Sequence, residues 1–305
     1  MLASVRIGTA GWSYPHWKGV IYPKGFVSGN HPLDFHTSHF SSIEINRSFY
    51  QSLKPELVKL WIKRVEANPE FRFTAKLHQQ FTHFRRIEES AVKEFKVGVR
   101  PLAEAGKLGA LLIQFPWAFR FTAENQDYLI RLRREFREFP LVAEMRHSSW
   151  LAEEAQGTFL DYKIGFCNID QPVHTSAMPP TSLLTSPVGY VRLHGRCEQS
   201  PFGMDSLGTQ ASNLRNNNQN DYLYSESEMT ELAQRIERDS RFSEITFVVF
   251  NNDVGGKSVV NALQLQALLT GKRPPVPKEL RRRFPVELEN FGSNRFEQQS
   301  LFTAA

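Results

Sequence analysis

Cysteine is nearly missing. Cys167 and Cys197 are the only two among 305 residues, too few to staple a secreted scaffold and compatible with a reducing compartment. Long apolar runs are missing as well: the longest, such as Ala110 to Ile113 and Phe247 to Phe250, fall far short of the roughly 20 residues that cross a bilayer. No membrane partner is therefore expected. The opening residues, MLASVRIGTAGW, have no basic segment followed by an apolar stretch, which argues against a secretory signal and for a cytoplasmic location. HExxH, CxxC and EF-hand spacings are also absent, so no metal is assigned and the cofactor is left unknown.

What is present is a mildly basic chain, with Lys plus Arg at 37 against Asp plus Glu at 32 and a formal net charge of +5. The surplus gathers in Arg131-Leu132-Arg133-Arg134 and Arg281-Arg282-Arg283. Such runs are usually solvated faces, and a nucleic-acid footprint is the sharper alternative.

Short β-rich runs alternate with helical patterns, which predicts βαβ units and a parallel sheet. The runs are Val5–Thr9, Ser42–Asn46, Phe71–Leu77, Ala110–Phe115, Leu141–Met145, Ile164–Ile169, Val188–His194 and Ile245–Asn251. Eight strands close a barrel, so the expected fold is α/β, a single (β/α)8 TIM-type barrel over residues 1–271. Pro55 opens a helix with Leu57, Leu60, Trp61 and Val65 at helical spacing. Further helices carry Phe95, Val99 and Leu102, interrupted by Pro101, then Tyr128, Leu132 and Phe136, then Ala262, Leu265 and Leu269, the last ended by Gly271. The sixth crossover, Gln171–Pro187, is rich in Pro and Ser and shows no helix pattern. A polar insertion at about 196–225 follows strand seven, to be read either as disorder or as a lid over a pocket. Residues 272–305 show no strand pattern and are expected to pack outside the barrel or fray.

Five blocks carry a family resemblance: Gly8 to Tyr14 (GTAGWSY), Ile43 to Tyr50 (IEINRSFY), Ala143 to His147 (AEMRH), Tyr190 to Gly195 (YVRLHG) and Phe250 to Asp253 (FNND). Together, in this order, they resemble the YecE-like family. The resemblance implies a TIM-type barrel, in agreement with the strand count, and no established activity. It therefore transfers no catalytic role.

Period-two alternation shows which side chains face inward. Phe71, Phe73, Ala75 and Leu77 share one face of strand three and must meet the helices, which turns Arg72, Thr74, Lys76 and His78 into the barrel. By the same parity Ser42, Glu44 and Asn46 of strand two point inward, as do Tyr190, Arg192 and His194 of strand seven. Glu144 and Arg146 share a parity in strand five. Gln114 ends strand four, Asp170 follows strand six, and Asn251, Asn252 and Asp253 follow strand eight. Ordinary barrels fill their interior with Val, Ile and Leu, so this polar convergence at the C-terminal strand ends points to a pocket, the plain alternative being a salt-bridge lattice.

Within that pocket Glu144 and Glu44 are the acid/base candidates and His194 a proton shuttle. Asn46, Lys76, Gln114, Arg146, Arg192, Asn251, Asn252 and Asp253 are the substrate-binding candidates, the two arginines suiting a carboxylate or phosphate. Lys76 would form a Schiff base if its pKa were depressed, but with carboxylates nearby it is expected to stay charged. Glu144, Asp170, His194 and Asp253 offer a mixed N/O ligand set that no spacing supports. The stretch Asn252 to Ser258 ends like a P-loop, but Asn251 stands where the first Gly belongs, so the Walker pattern fails. Gly255 and Gly256 still open helix eight, where barrels often bind phosphate, and are the phosphate-binding candidates. The expected function is a hydrolase or lyase acting on an anionic small molecule, phosphorylated ones included. A nucleic-acid-binding barrel and a non-catalytic binding module are the alternatives, and the oligomeric state is left open.

Overall fold

The computed structural model describes residues 4–22, 31–172, 175–197 and 220–294. All eight expected strands form, shifted by one or two residues at their ends: β1 (Ser4–Thr9), β2 (Ser42–Ile45), β3 (Arg72–Lys76), β4 (Leu108–Gln114), β5 (Leu141–Glu144), β6 (Gly165–Asp170), β7 (Val188–Leu193) and β8 (Ile245–Phe250). Each pairs in parallel with its neighbour, in the order β1-β8-β7-β6-β5-β4-β3-β2. The two end strands then meet. Ala10 bridges Glu44 in parallel, the Gly11 N–H donates to the Glu44 carbonyl at 2.8 Å, and the Ser41 N–H donates to that of Ile7 at 3.3 Å. The fold is a single (β/α)8 TIM-type barrel whose seam lies between β1 and β2. Gly8 makes that seam possible, because a Cβ there would lie 2.0 Å from the Ser42 carbonyl oxygen.

Helices cover the sheet with the faces the sequence offers, with one rotation. In helix Pro55–Arg64 the buried residues are Val58 and Trp61, followed by the buried Val65, while Leu60 is 59% exposed. The i, i+3, i+7 row through Val58 therefore forms the inner face, and Leu57 packs only at its edge. Helix Glu89–Glu104 buries Phe95, Val99 and Leu102 and runs three residues beyond Pro101. Helix Ala123–Glu135 buries Tyr128 and Leu132, and helix Lys257–Thr270 ends at Gly271, whose φ of 70° only glycine adopts easily. Among the described residues no helix joins β6 to β7. The Asn168 side chain holds that crossover instead, accepting from Thr181 Oγ1 and the Leu183 N–H at 2.8 Å each and donating to the Leu183 carbonyl at 2.9 Å.

Beyond Lys272, Val276–Pro277 pairs with Ser293–Asn294, and a short helix, Lys278–Arg283, lies between them. Val276, Leu280, Phe284, Leu288 and Phe291 are buried in one cluster with β8 and helix Lys257–Thr270. No helix among the described residues is long and apolar enough to cross a membrane. The choice between a lid and disorder at 196–225 falls largely on residues 198–219, outside the described ones.

Candidate functional site

The inward parity of β7 builds the site in three rungs, separated by about 6.6 Å at strand spacing. On the lowest, Tyr190 lies 5.9 Å from the Phe247 ring, shares a 2.8 Å hydrogen bond with Thr74 of β3 and donates to Glu44 Oε2 of β2 at 2.9 Å. On the middle rung, Arg192 spans the barrel. Its Nη2 donates to Glu44 Oε1 at 2.9 Å and its Nη1 to Gln114 Oε1 at 3.1 Å and to Glu144 Oε2. On the top rung, just past the strand ends, Arg146 holds Glu144 Oε1 through Nε at 2.8 Å and Nη2 at 2.7 Å. His194 lies there too, with Asn251 Nδ2 donating to its Nδ1 at 3.0 Å. That bond leaves the ring proton on Nε2, 3.5 Å from Glu144 Oε1.

Lys76, at the end of β3, approaches the group from the side. Its Nζ lies 3.8 Å from Glu44 Oε1 and 5.9 Å above the centre of the Phe49 ring. Arg192 and both carboxylates are fully buried, whereas the side chains of Lys76 and Arg146 keep 13% exposure each.

Burial and neighbours set the protonation states. Burial alone would raise the Glu144 carboxyl, yet Arg192, Arg146 and His194 hold it well below the usual carboxylate range. Burial, reinforced by Arg146 against the pull of Glu144, brings His194 down to about 3. Burial with Arg192 nearby brings Lys76 down to about 8, although Glu44 opposes the shift. His83, on the same side, falls to about 4 through burial and the charges of Arg146 and Lys76. At neutral pH the centre therefore holds an ionised Glu144, a loosely charged amine on Lys76 and a neutral imidazole on His194.

Other expected site residues lie around this network rather than in it. Asn46 donates to the Tyr14 hydroxyl at 3.3 Å, above β1 and β2. Asn252, one residue past Asn251 and of opposite parity, turns away and donates to Asn261 Oδ1 at 2.9 Å and the Tyr222 carbonyl at 2.8 Å. Asp253 accepts from Trp17 Nε1 at 2.8 Å through its carbonyl and from Asn220 Nδ2 at 3.1 Å through Oδ1. Gly255 and Gly256 adopt left-handed φ values of 65° and 92° at the start of helix Lys257–Thr270, covered by Ile21, Leu280 and the Arg283 guanidinium. Asp170 faces a separate cluster, where Arg196 forks onto its two oxygens at 2.9 and 2.7 Å and the Tyr224 hydroxyl donates to it at 2.9 Å. Among the described residues no three His, Cys, Asp or Glu side chains gather to hold a metal ion.

Tyr190, Thr74 and Phe49 complete the network without having been singled out as site residues. The first two were legible as inward-facing neighbours of Arg192 and Lys76; Phe49 was not, because its placement depends on a short helix, Arg47–Tyr50. Two surface cavities, of about 590 Å³ beside Phe84, Arg85 and Tyr128 and about 270 Å³ beside His78 and Phe95, include no member of the network in their walls.

Known proteins share this framework. A UPF0759 protein, YunF of Bacillus subtilis, is 27% identical over 281 residues, covering 87% of this chain and 94% of its own. A DUF72 family protein of Thermotoga maritima superposes with a TM-score of 0.73 at 29% identity, over 87% of this chain and 99% of its own. One from Enterococcus faecalis gives 0.72 at 26% identity, over 87% and 95%. The family profile described as "Protein of unknown function DUF72" matches residues 6–283, from the first strand of the barrel to the helix of the tail, and the chain belongs to that family.

Proposed function

We propose that the barrel mouth binds an anionic small molecule, phosphorylated ones included, and acts on it as a hydrolase or lyase. One observation supports this reading above others. The buried network joins three cationic side chains, Lys76, Arg146 and Arg192, to two carboxylates, Glu44 and Glu144, and the two cations that keep some exposure both lie at the C-terminal strand ends. Cations that border a low-dielectric interior and keep some exposure attract an incoming anion more strongly than cations in bulk water do. Arg146, whose Nε and Nη2 hold Glu144 Oε1, brings a delocalised charge to the mouth, and Lys76 brings a second, compact one. Glu44 and Glu144 orient the guanidiniums, while proton transfer falls to His194 and Lys76, the groups with accessible neutral forms.

The test is thermal denaturation at constant ionic strength, with chloride replaced by orthophosphate, sulfate or malonate. We expect stabilisation of the wild-type chain that grows with concentration, and none in Lys76→Met or Arg146→Met. Equal stabilisation of the Lys76→Met chain would remove the mouth from consideration as the anion site.

A further inference from the structure

The Lys76 amine is placed unlike the other cations of the network. Arg146 and Arg192 each hold a carboxylate through hydrogen bonds, whereas Lys76 Nζ donates none among the described residues, and its nearest carboxylate oxygen is 3.8 Å away. That oxygen, Glu44 Oε1, is already engaged by Arg192 at 2.9 Å, and the other oxygen of Glu44 takes the Tyr190 hydroxyl at 2.9 Å. Lys76 Nζ lies 5.9 Å from the centre of the Phe49 ring, and the side chain keeps 13% exposure. An amine shielded by an aromatic ring, next to guanidiniums and reachable from solvent, is the setting in which lysines act as nucleophiles.

We propose that Lys76 forms an imine with the carbonyl carbon of an anionic aldehyde or ketone, an oxo acid whose carboxylate is taken by Arg146. The proposal rests on the anion-site reading above and narrows its substrate class. In the step, the amine lone pair attacks the carbonyl carbon and forms the C–N bond, while the C=O π pair moves to oxygen, which takes a proton. That oxygen takes a second proton and leaves as water while the nitrogen lone pair forms the C=N bond, and the two protons gained by oxygen are balanced by the two that the amine nitrogen gives up. One amine and one carbonyl give one imine and one water, with no oxidant or reductant. Only the neutral amine has the lone pair, and burial beside Arg192, bringing Lys76 to about 8, keeps part of it neutral near physiological pH.

The full chain, incubated with glyoxylate near pH 8 and reduced with borohydride, traps any imine as a stable secondary amine that peptide mass mapping locates. We expect Lys76 to be labelled about tenfold faster than the exposed Lys59 and Lys63. Acetaldehyde, which lacks the carboxylate, should lose that preference, and orthophosphate should slow the glyoxylate reaction. Lys76→Arg should keep phosphate-dependent thermal stabilisation and lose the label. If Lys76 in the wild-type chain is labelled no faster than Lys59 while phosphate still stabilises the fold, the imine is refuted and the anion site stands. If neither effect is seen, both readings fall.

Discussion

Glu144 sits between two guanidiniums, with Arg192 on one oxygen and Arg146 on the other. Glu144→Gln preserves its shape but removes the charge and turns an amide N–H₂ toward a donor. We expect a loss of about 3–5 kcal/mol in denaturant titration, the range for breaking a buried pair, whereas a residue engaged only in chemistry would leave stability nearly unchanged. Lys76 shows the opposite balance. Its amine titrates at about 8 in the folded chain against 10.5 normally, so below pH 8 both states carry the charge and the full cost of burying it applies. Between these values the unfolded chain keeps a proton that the folded chain has shed, and stability contributed by this group rises with pH. Lys76→Met should therefore gain on the wild type near pH 7, and that advantage should vanish by pH 10.5. His194, brought to about 3 from 6.5, contributes a loss on the acid side. Above 6.5 it is neutral in both states, and as pH falls from there the unfolded chain alone takes up the proton, so melting temperature should decline from pH 6.5 downward and less steeply in His194→Gln.

The strands and their inward faces could be read from alternation because a period of two assigns every residue to one side of a pleated strand. Parity also separates the residues that follow β8. Asn251 reaches His194, but Asn252 has the other parity and bonds Asn261 instead, although both stand beside each other at the end of β8. What alternation does not contain is which inward residues meet across the barrel. Arg192 pairs with Glu44 and Glu144 because the strands stagger around the axis, and stagger is a property of closure rather than of any one strand. The seam concentrates this dependence at a single position. A Cβ on Gly8 would sit 2.0 Å from the Ser42 carbonyl oxygen, which is backbone and cannot swing aside. Gly8→Ala should therefore open the β1–β2 contact and cost about 1–3 kcal/mol, the range for overpacking. Hydrogen exchange should show the earliest loss of protection at the Gly11 and Ser41 amides, which bridge the seam. Equal protection in both chains would mean that the seam is not the point of closure.

Across the whole molecule, two apolar clusters flank the polar axis, one centred on β2 to β6 and the other on β7, β8, β1 and the tail. The tail's share in the second cluster escaped the strand pattern because Leu280, Phe284, Leu288 and Phe291, which supply most of it, lie outside its two-residue strands. The basic runs that drew attention in the sequence are partly tied into the fold: Arg133 donates to the Tyr162 carbonyl at 2.9 Å, Arg281 to that of Glu289 at 3.1 Å, and Arg283 lies against Gly255. Arg134 and Arg282 remain exposed, on a helix flank and in the tail. Long-range attraction from such exposed charges decays over about 8 Å at physiological salt, so they bear little on a small anion at the mouth. They would matter greatly to a nucleic acid, whose binding weakens steeply with each lost phosphate contact. Joint replacement Arg134→Glu and Arg282→Glu should thus leave phosphate-dependent stabilisation unchanged near 150 mM salt. Titration of a fluorescent single-stranded RNA over a range of salt completes the comparison. Tight, salt-sensitive RNA binding that the double replacement abolishes, together with phosphate stabilisation unaffected by Lys76→Met, would move the working surface from the barrel mouth to the basic flank.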